Sequence, residues 1–224
     1  ALNGFGRIGR AIAKLNLIHK RFELVLINDL NQNVENLAYL FKYDSTYGRF
    51  EGEIDTSTDR IILEGSPVTV SSRQTIIDLP IPKSGIDILI DASGVSSNVI
   101  AGKELLSDGR LGKMIVTHSH PDVDREIVMG VNESKITNTD RVFSSSICDA
   151  NAISHVLKWM NDEYHISGGA LTTLHPWLSY QNLVDGPSIS QSHPGISWSD
   201  FALGRAAVSS IIPKNTTALT AVEK

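Results

Sequence analysis

The chain has 224 residues, 41% apolar and 20% charged, with a formal net charge of −5. That length fits one large domain or two small ones, and the mildly acidic balance leaves no footprint for nucleic acid or an anionic membrane. No apolar stretch is long enough to span a bilayer, no signal-peptide pattern opens the chain, and the single cysteine, Cys148, supplies neither an internal disulfide nor a thiolate zinc site.

Asn3 to Arg10 reads Asn-Gly-Phe-Gly-Arg-Ile-Gly-Arg, so Gly4, Gly6 and Gly9 fall in a G-x-G-x-x-G spacing that opens an apolar helical run. In a dinucleotide-binding (Rossmann) turn the first glycine makes the bend and the second lets a pyrophosphate approach the backbone. The third lets the helix pack on its strand. The exposed amides and the helix dipole then favour a diphosphate. A helix is predicted over 8–19 and a buried parallel strand over 22–27, followed by Asn28-Asp29. Asp29 lies 20 residues past Gly9, where a carboxylate accepts both ribose hydroxyls and repels a 2′-phosphate, which argues for NAD over NADP.

Asn33 to Phe41 suits a short helix and Tyr43 to Gly48 a polar loop. Arg60–Leu63 and Val68–Val70 read as short strands around the turn Glu64-Gly-Ser-Pro67. Ile86–Asp91 is a further buried strand, a helix runs through Glu104-Leu-Leu106, and Lys113–Val116 is the next strand. Alternating strands and helices imply an α/β fold with a doubly wound parallel sheet, whose ligands bind beyond the carboxyl ends of the strands. Asp29, Ser93 and Thr117 should therefore line one crevice. From Ala150 the pattern becomes a long amphipathic helix with Ile153, Val156, Leu157 and Met160 on one face, then a strand over Ala170–Leu174 and a Gly/Ser/Pro-rich stretch from Gly186 to Gly195. The expected division is a Rossmann domain over 1–147 and the first part of an α+β catalytic domain over 148–224. Only Ala1-Leu2 precede the glycine turn, and Ala218–Lys224 reads as a helix without a stop signal, so both ends are expected to be cut.

Cys148 precedes the long helix, and a thiol at a helix N-terminus gains thiolate character from the dipole. On position alone a small buried hydrophobe is the commoner reading of a single cysteine. His175 follows the predicted strand, where an imidazole can pair with a thiolate or serve structure only.

Together these features resemble the phosphorylating glyceraldehyde-3-phosphate dehydrogenases over almost the whole chain. The matching stretches are Asn3–Arg10, Asn28-Asp29, Tyr43–Gly48, Ser93-Gly-Val95 and Val128–Asn132. They continue with Cys148 and Asn151, Thr172–His175, Val184–Ser188, and Ile211–Pro213 with Thr216. The resemblance implies that Arg7 and Ile8 offer amides to the pyrophosphate and that Asp29 holds the adenosine ribose. By the same resemblance Arg73 lies near the adenine, and Ser93, Gly94 and Thr117 (or His118) run along NAD. Cys148 would attack an aldehyde and His175 would activate the thiol, leaving a thioester. Arg205 and Thr216 would serve the substrate. The family is usually tetrameric, so a homotetramer is expected, with a cytoplasmic location, a small aldehyde as partner, and neither nucleic acid nor membrane.

Several positions depart from the family pattern. Where it reads Ser-Cys-Thr-Thr-Asn, this chain has Ile147-Cys-Asp-Ala-Asn151. Ile147 removes a hydroxyl donor for the attacking phosphate, and Asp149 puts a negative charge beside the nucleophile. At about 4 Å, like charges repel by several kcal/mol at an effective dielectric near 20. Two threonines that hold the substrate phosphate align with Leu178 and Tyr180, and Ile189–Asp200 is longer than its counterpart. An altered substrate is therefore expected. The alternatives are the ordinary glycolytic activity and a catalytically weak binding or assembly protein. The intact Cys148, His175 and Asp29 argue against the last.

Thr117-His-Ser-His-Pro-Asp122 also resembles the zinc signature of metallo-β-lactamase-like hydrolases. Val123 stands where that signature needs its next histidine, so no metal is expected there. Pro176 and Trp177 flank His175 and are read equally as pocket walls or packing groups, and His193-Pro194 as a loop turn.

Overall fold

The computed structural model describes residues 1–82, 85–178, 181–188, 201–213 and 218–222. They belong to two compact units, residues 1–127 with 133–145, and residues 128–132 with 146–224.

The first unit begins with β1 (Leu2–Asn3), α1 (Arg7–His19), β2 (Leu26–Asn28) and α2 (Val34–Lys42). Asn33 caps α2 by accepting the Asn36 amide at 2.8 Å. The expected loop after α2 is a short hairpin of β3 (Tyr43–Asp44) and β4 (Gly48–Arg49). Its buried Asp44 accepts the amides of Thr46 and Tyr47 and pairs with Arg10 and Lys14 of α1. Next come β5 (Ile54–Ser57), β6 (Arg60–Leu63), β7 (Ser66–Ser71), β8 (Ile86–Asp91), α3 (Asn98–Ser107), β9 (Leu111–Val116), β10 (Arg125–Glu126) and β11 (Val142–Ser144).

The main sheet has the order β10-β11-β9-β8-β1-β2-β7-β6-β5. It is parallel from β10 to β7, and β6 and β5 add an antiparallel edge. Successive side chains of a strand face opposite sides, so Leu26 and Ile27 enter different cores. Leu26 joins Leu89, Val99, Leu105 and Met114, while Ile27 joins Leu2, Phe5, Leu37 and Phe41. The expected doubly wound α/β sheet is thus present, with α3 packed on one face and residues of α1 and α2 on the other.

Two local expectations are corrected. β2 is confined to Leu26–Asn28, because the ladder starts only there and Phe22 and Val25 are exposed. The turn before β7 is Glu64-Gly65 alone, both with positive φ (49° and 76°), a two-residue hairpin connection whose twist suits the flanking strands. Ser66 and Pro67 already belong to the strand.

In the second unit, α4 covers Cys148–Tyr164 and α5 covers Ala218–Val222. The buried residues of α4 are Ala150 and Ser154, and those of α5, which contacts it, are Ala218 and Ala221. The predicted apolar face is therefore not the buried one: Val156 and Met160 are exposed and Ile153 and Leu157 half-buried. The predicted strand Ala170–Leu174 is also absent, and Leu174 is 91% exposed. A strand needs a neighbour to complete its ladder, and no described residue pairs with this segment. No helix among the described residues is long and apolar enough to cross a membrane.

Candidate active site

In the first unit, β1 lies between β2 and β8, where the strand order reverses, and crevices open at such a point. Gly4 follows β1 with φ +86°, and a Cβ there would stand 2.7 Å from the Ser93 amide nitrogen. A Cβ on Gly9 would collide with the Gly4 carbonyl, whereas Gly6 faces open space. Gly6 is also the N-cap of α1 and brings no capping side chain, so the amides of the exposed Arg7 and Ile8 lie in a helix start with no intrahelical partners. Asp29 follows β2, and its carboxylate accepts the Phe5 amide at 2.7 Å and the Asn31 amide at 2.9 Å. Two carboxylate oxygens offer about four acceptor positions, so room remains for hydroxyl donors. An open glycine, a bare helix start and a fixed carboxylate suit a dinucleotide with a diphosphate and a free ribose diol.

A polar ladder beneath this crevice escapes sequence reasoning. Asn28 bonds Ser71, the Arg73 backbone and Asn3, and Asn3 donates to Asp91 at 2.8 Å. Asp91, fully buried, in turn accepts from Ser93 and Asn98. The ladder crosses β7, β2, β1 and β8 and holds their carboxyl ends at fixed heights. It also occupies Ser93, whose hydroxyl donates to Asp91 at 2.6 Å rather than facing outward unengaged. The available signal is that β1, β2 and β8 each end in Asn or Asp.

Gly94 has φ +72°, the Arg73 side chain is exposed, and the Thr117 amide donates to the Asp91 carbonyl. His118 and His120 have ring centroids 6.1 Å apart. Both ring nitrogens of His118 are buried without a hydrogen-bond partner among the described residues, while His120 Nδ1 accepts the Asp122 amide. Burial lowers the basicity of His118 from its ordinary value near 6.5, against the pull of Asp91. The unfolded chain therefore binds this proton first, and stability should fall as pH drops through 6.5 toward the lower folded-state value. His118→Gln should flatten that loss. Thermal unfolding midpoints from pH 7.5 to 5 measure it, and equal slopes in both proteins would refute it.

In the second unit, Cys148 is the first residue of α4 and is exposed. Its N-cap, Ile147, provides no side-chain bond, so the positive end of a 17-residue helix meets the thiol and the neighbouring Asp149. Asp149 Oδ1 lies 3.1 Å from His175 Nε2, and Thr173 Oγ1 lies 3.2 Å from the same nitrogen. The ligating atoms of Cys148, Asp149 and His175 all fall within 4.8 Å of one another. The two predicted chemical residues are thus together, and Asp149, read from sequence only as an opposing charge, has the imidazole as its partner. Asn151 donates from Nδ2 to the Ile147 carbonyl, closing the first turn.

Arg205 pairs with Asp185 at 3.5 Å, and both side chains are largely exposed. Leu178 is half-buried and its amide donates to Gln181. Pro176 and Trp177 are exposed, which favours neither reading of them. Thr216, Tyr180, His193-Pro194 and the segment 189–200 lie outside the described residues.

Residues 1–99 match the family described as glyceraldehyde 3-phosphate dehydrogenase, NAD binding domain, and NAD is the cofactor of this unit. Residues 147–224 match the C-terminal domain of the same family. Among curated proteins, glyceraldehyde-3-phosphate dehydrogenase 1 of Kluyveromyces lactis is 37% identical over 224 residues, covering 100% of this chain and 64% of the relative. Glyceraldehyde-3-phosphate dehydrogenase 1 of Schizosaccharomyces pombe is 35% identical, with 100% and 63% covered. The glyceraldehyde-3-phosphate dehydrogenase of Zymomonas mobilis is 34% identical, with 99% and 63% covered. The chain therefore spans slightly under two thirds of the length of these relatives.

Proposed function

We propose, because this chain belongs to the glyceraldehyde-3-phosphate dehydrogenase family, that it serves in the NAD-dependent oxidation of an aldehyde through a thioester on Cys148. The observation that carries this reading is the grouping of Cys148 and His175 at the start of α4. Residues 1–147 act as the cofactor domain and 148–224 as part of the catalytic domain. Bound NAD supplies a hydride acceptor. Arg7 and Ile8 would hold its diphosphate through their amides and Asp29 its ribose diol, with Arg73, Ser93, Gly94 and Thr117 alongside.

Cys148 Sγ attacks the aldehyde carbon, and the carbonyl electron pair moves to oxygen, where the His175 imidazolium donates a proton. After the hydride has left that carbon, His175 takes the hydroxyl proton back as the carbonyl re-forms. The acyl group then stays on Sγ until an acceptor displaces the thiolate. Asp149 orients the His175 ring and places a negative charge where a phosphate acceptor would approach. Ile147 removes a donor from the same place, Leu178 removes one from the substrate phosphate, and Tyr180 moves another to the end of a phenol ring. Arg205 and Thr216 remain as groups for substrate, although Arg205 already has Asp185 as a counter-charge. The reading is an altered aldehyde and an acyl acceptor other than phosphate. The names of the relatives favour a second reading, glyceraldehyde 3-phosphate itself as substrate.

We also read the protein as a cytoplasmic homotetramer. The exposed Val156, Trp159, Met160 and Tyr164 of α4 support contact with further copies.

Asp29 sets the cofactor preference. Titration of the full-length protein should show NAD bound more tightly than NADP, and Asp29→Ala should erase most of that difference, because the carboxylate both accepts the diol and repels a 2′-phosphate. Equal or tighter NADP binding by the unaltered protein would contradict this.

A further inference from the structure

We propose that Cys148, Asp149 and His175 form a reversible site for a divalent cation of the zinc class, and that the bound ion silences the thiolate. The three side chains offer one sulfur, one oxygen and one nitrogen donor, all within 4.8 Å of one another. From sequence, the single cysteine is not expected to supply a thiolate zinc site and no metal is expected at the histidines of the Thr117–Asp122 loop; the folded chain adds an oxygen and a nitrogen donor to the sulfur. In a tetrahedral site with bonds of about 2.0–2.3 Å, nitrogen and oxygen ligands stand about 3.3 Å apart, and sulfur about 3.6 Å from either. Asp149 Oδ1 and His175 Nε2 already stand 3.1 Å apart. A side-chain adjustment of roughly 1 Å brings Sγ to ligand distance.

The donor set selects the metal. Thiolate and imidazole favour zinc over magnesium or calcium, which take oxygen ligands. Because Cys148 and His175 are exposed, the fourth position stays open to water. Binding forms a Zn–S bond as the thiol gives up its proton to solvent, with no change of oxidation state. Asp149 makes this more than a cysteine–histidine pair. Its carboxylate supplies the third ligand and cancels part of the ion's charge, and the dipole at the start of α4 steadies it.

The silencing rests on the role proposed for Cys148, whereas binding is measured without turnover, so the two can fail separately. The full-length protein is titrated with zinc against a chromogenic zinc indicator. One zinc per chain is expected, with affinity reduced at least about tenfold in Asp149→Asn and lost in Cys148→Ser. Replacing His118 and His120 by alanine should change nothing. Cobalt(II) gives a second readout: a thiolate-to-metal charge-transfer band in the unaltered protein that is absent in Cys148→Ser, with circular dichroism verifying that each variant is folded. Zinc should also protect Cys148 from iodoacetamide, whether or not any aldehyde is oxidised. No stoichiometric zinc, equal affinity in folded Asp149→Asn, or loss of binding with His118 and His120 would each overturn the site.

Discussion

Glyceraldehyde 3-phosphate should be a poor substrate of the full-length protein, by a factor of about 10² to 10⁴ in kcat/KM. A hydrogen bond to a charged group contributes roughly 1.5–3 kcal/mol, and by the family resemblance Leu178 and Tyr180 align with two threonine donors, the first lost outright and the second exchanged for a hydroxyl at the far end of a phenol ring. Losing both weakens transition-state binding by about 3–6 kcal/mol, which is that factor. Arg205 keeps its positive charge in an exposed ion pair with Asp185 but stands in neither of the two threonine positions. Restoring the donors in Leu178→Thr/Tyr180→Thr should raise kcat/KM for the phosphorylated aldehyde much more than for unphosphorylated ones. A value of about 10⁶ per molar per second or above for the unaltered protein, typical of efficient enzymes, would contradict the account. The same logic applies to the acceptor. Ile147→Ser/Asp149→Thr should increase the dependence of turnover on phosphate, because it adds two hydroxyl donors and removes a charge worth about 4 kcal/mol at 4 Å and dielectric 20 before screening.

The second large effect concerns the thiol itself. Alkylation of Cys148 by iodoacetamide at neutral pH should slow about 10–100-fold in His175→Asn. The sulfur and a ring nitrogen lie within 4.8 Å of each other, within reach for the imidazole to take the thiol proton during attack. Asp149→Asn should act in the opposite direction and quicken alkylation several-fold, since it removes an anion adjacent to the sulfur. The 3.1 Å contact with His175 limits that gain, because the same substitution removes the partner that orients the ring. Unchanged rates in both variants would show that the grouping has no influence on the thiol.

The sheet was legible where periodicity and composition agree. The run Ile86–Asp91 matches β8, the helix over 8–19 matches α1 to within one residue, and Asn33 announces α2 because Asn is a strong N-cap. β5 was missed because Ile54 is the one apolar residue among Asp55, Thr56 and Ser57, in an edge strand whose pairing comes from β6. The Ala170–Leu174 expectation failed for the converse reason: an apolar β-prone run has no described neighbour to pair with. In α4 the periodicity of the large apolar residues pointed to one face, while the positions buried in the structure are Ala150 and Ser154.

At the candidate site, the residues that carry the glycine turn and the chain-order motifs could be read directly. The contacts between side chains distant in sequence could not. Asn3, Asn28 and Asp91 look like ordinary polar strand ends until the parallel register aligns them side by side. Asp149 and His175 are joined by no local pattern, and only the path of residues 165–175 brings the imidazole onto the start of α4.

The most direct test of the central claim is intact-protein and peptide mass spectrometry of the full-length protein, quenched in acid after mixing with NAD and an unphosphorylated aldehyde. The account predicts an added acyl mass, oxidised relative to the aldehyde, on Cys148 alone, absent in Cys148→Ser and persisting when phosphate is added. No adduct despite NADH formation, or an adduct on another residue, would contradict it.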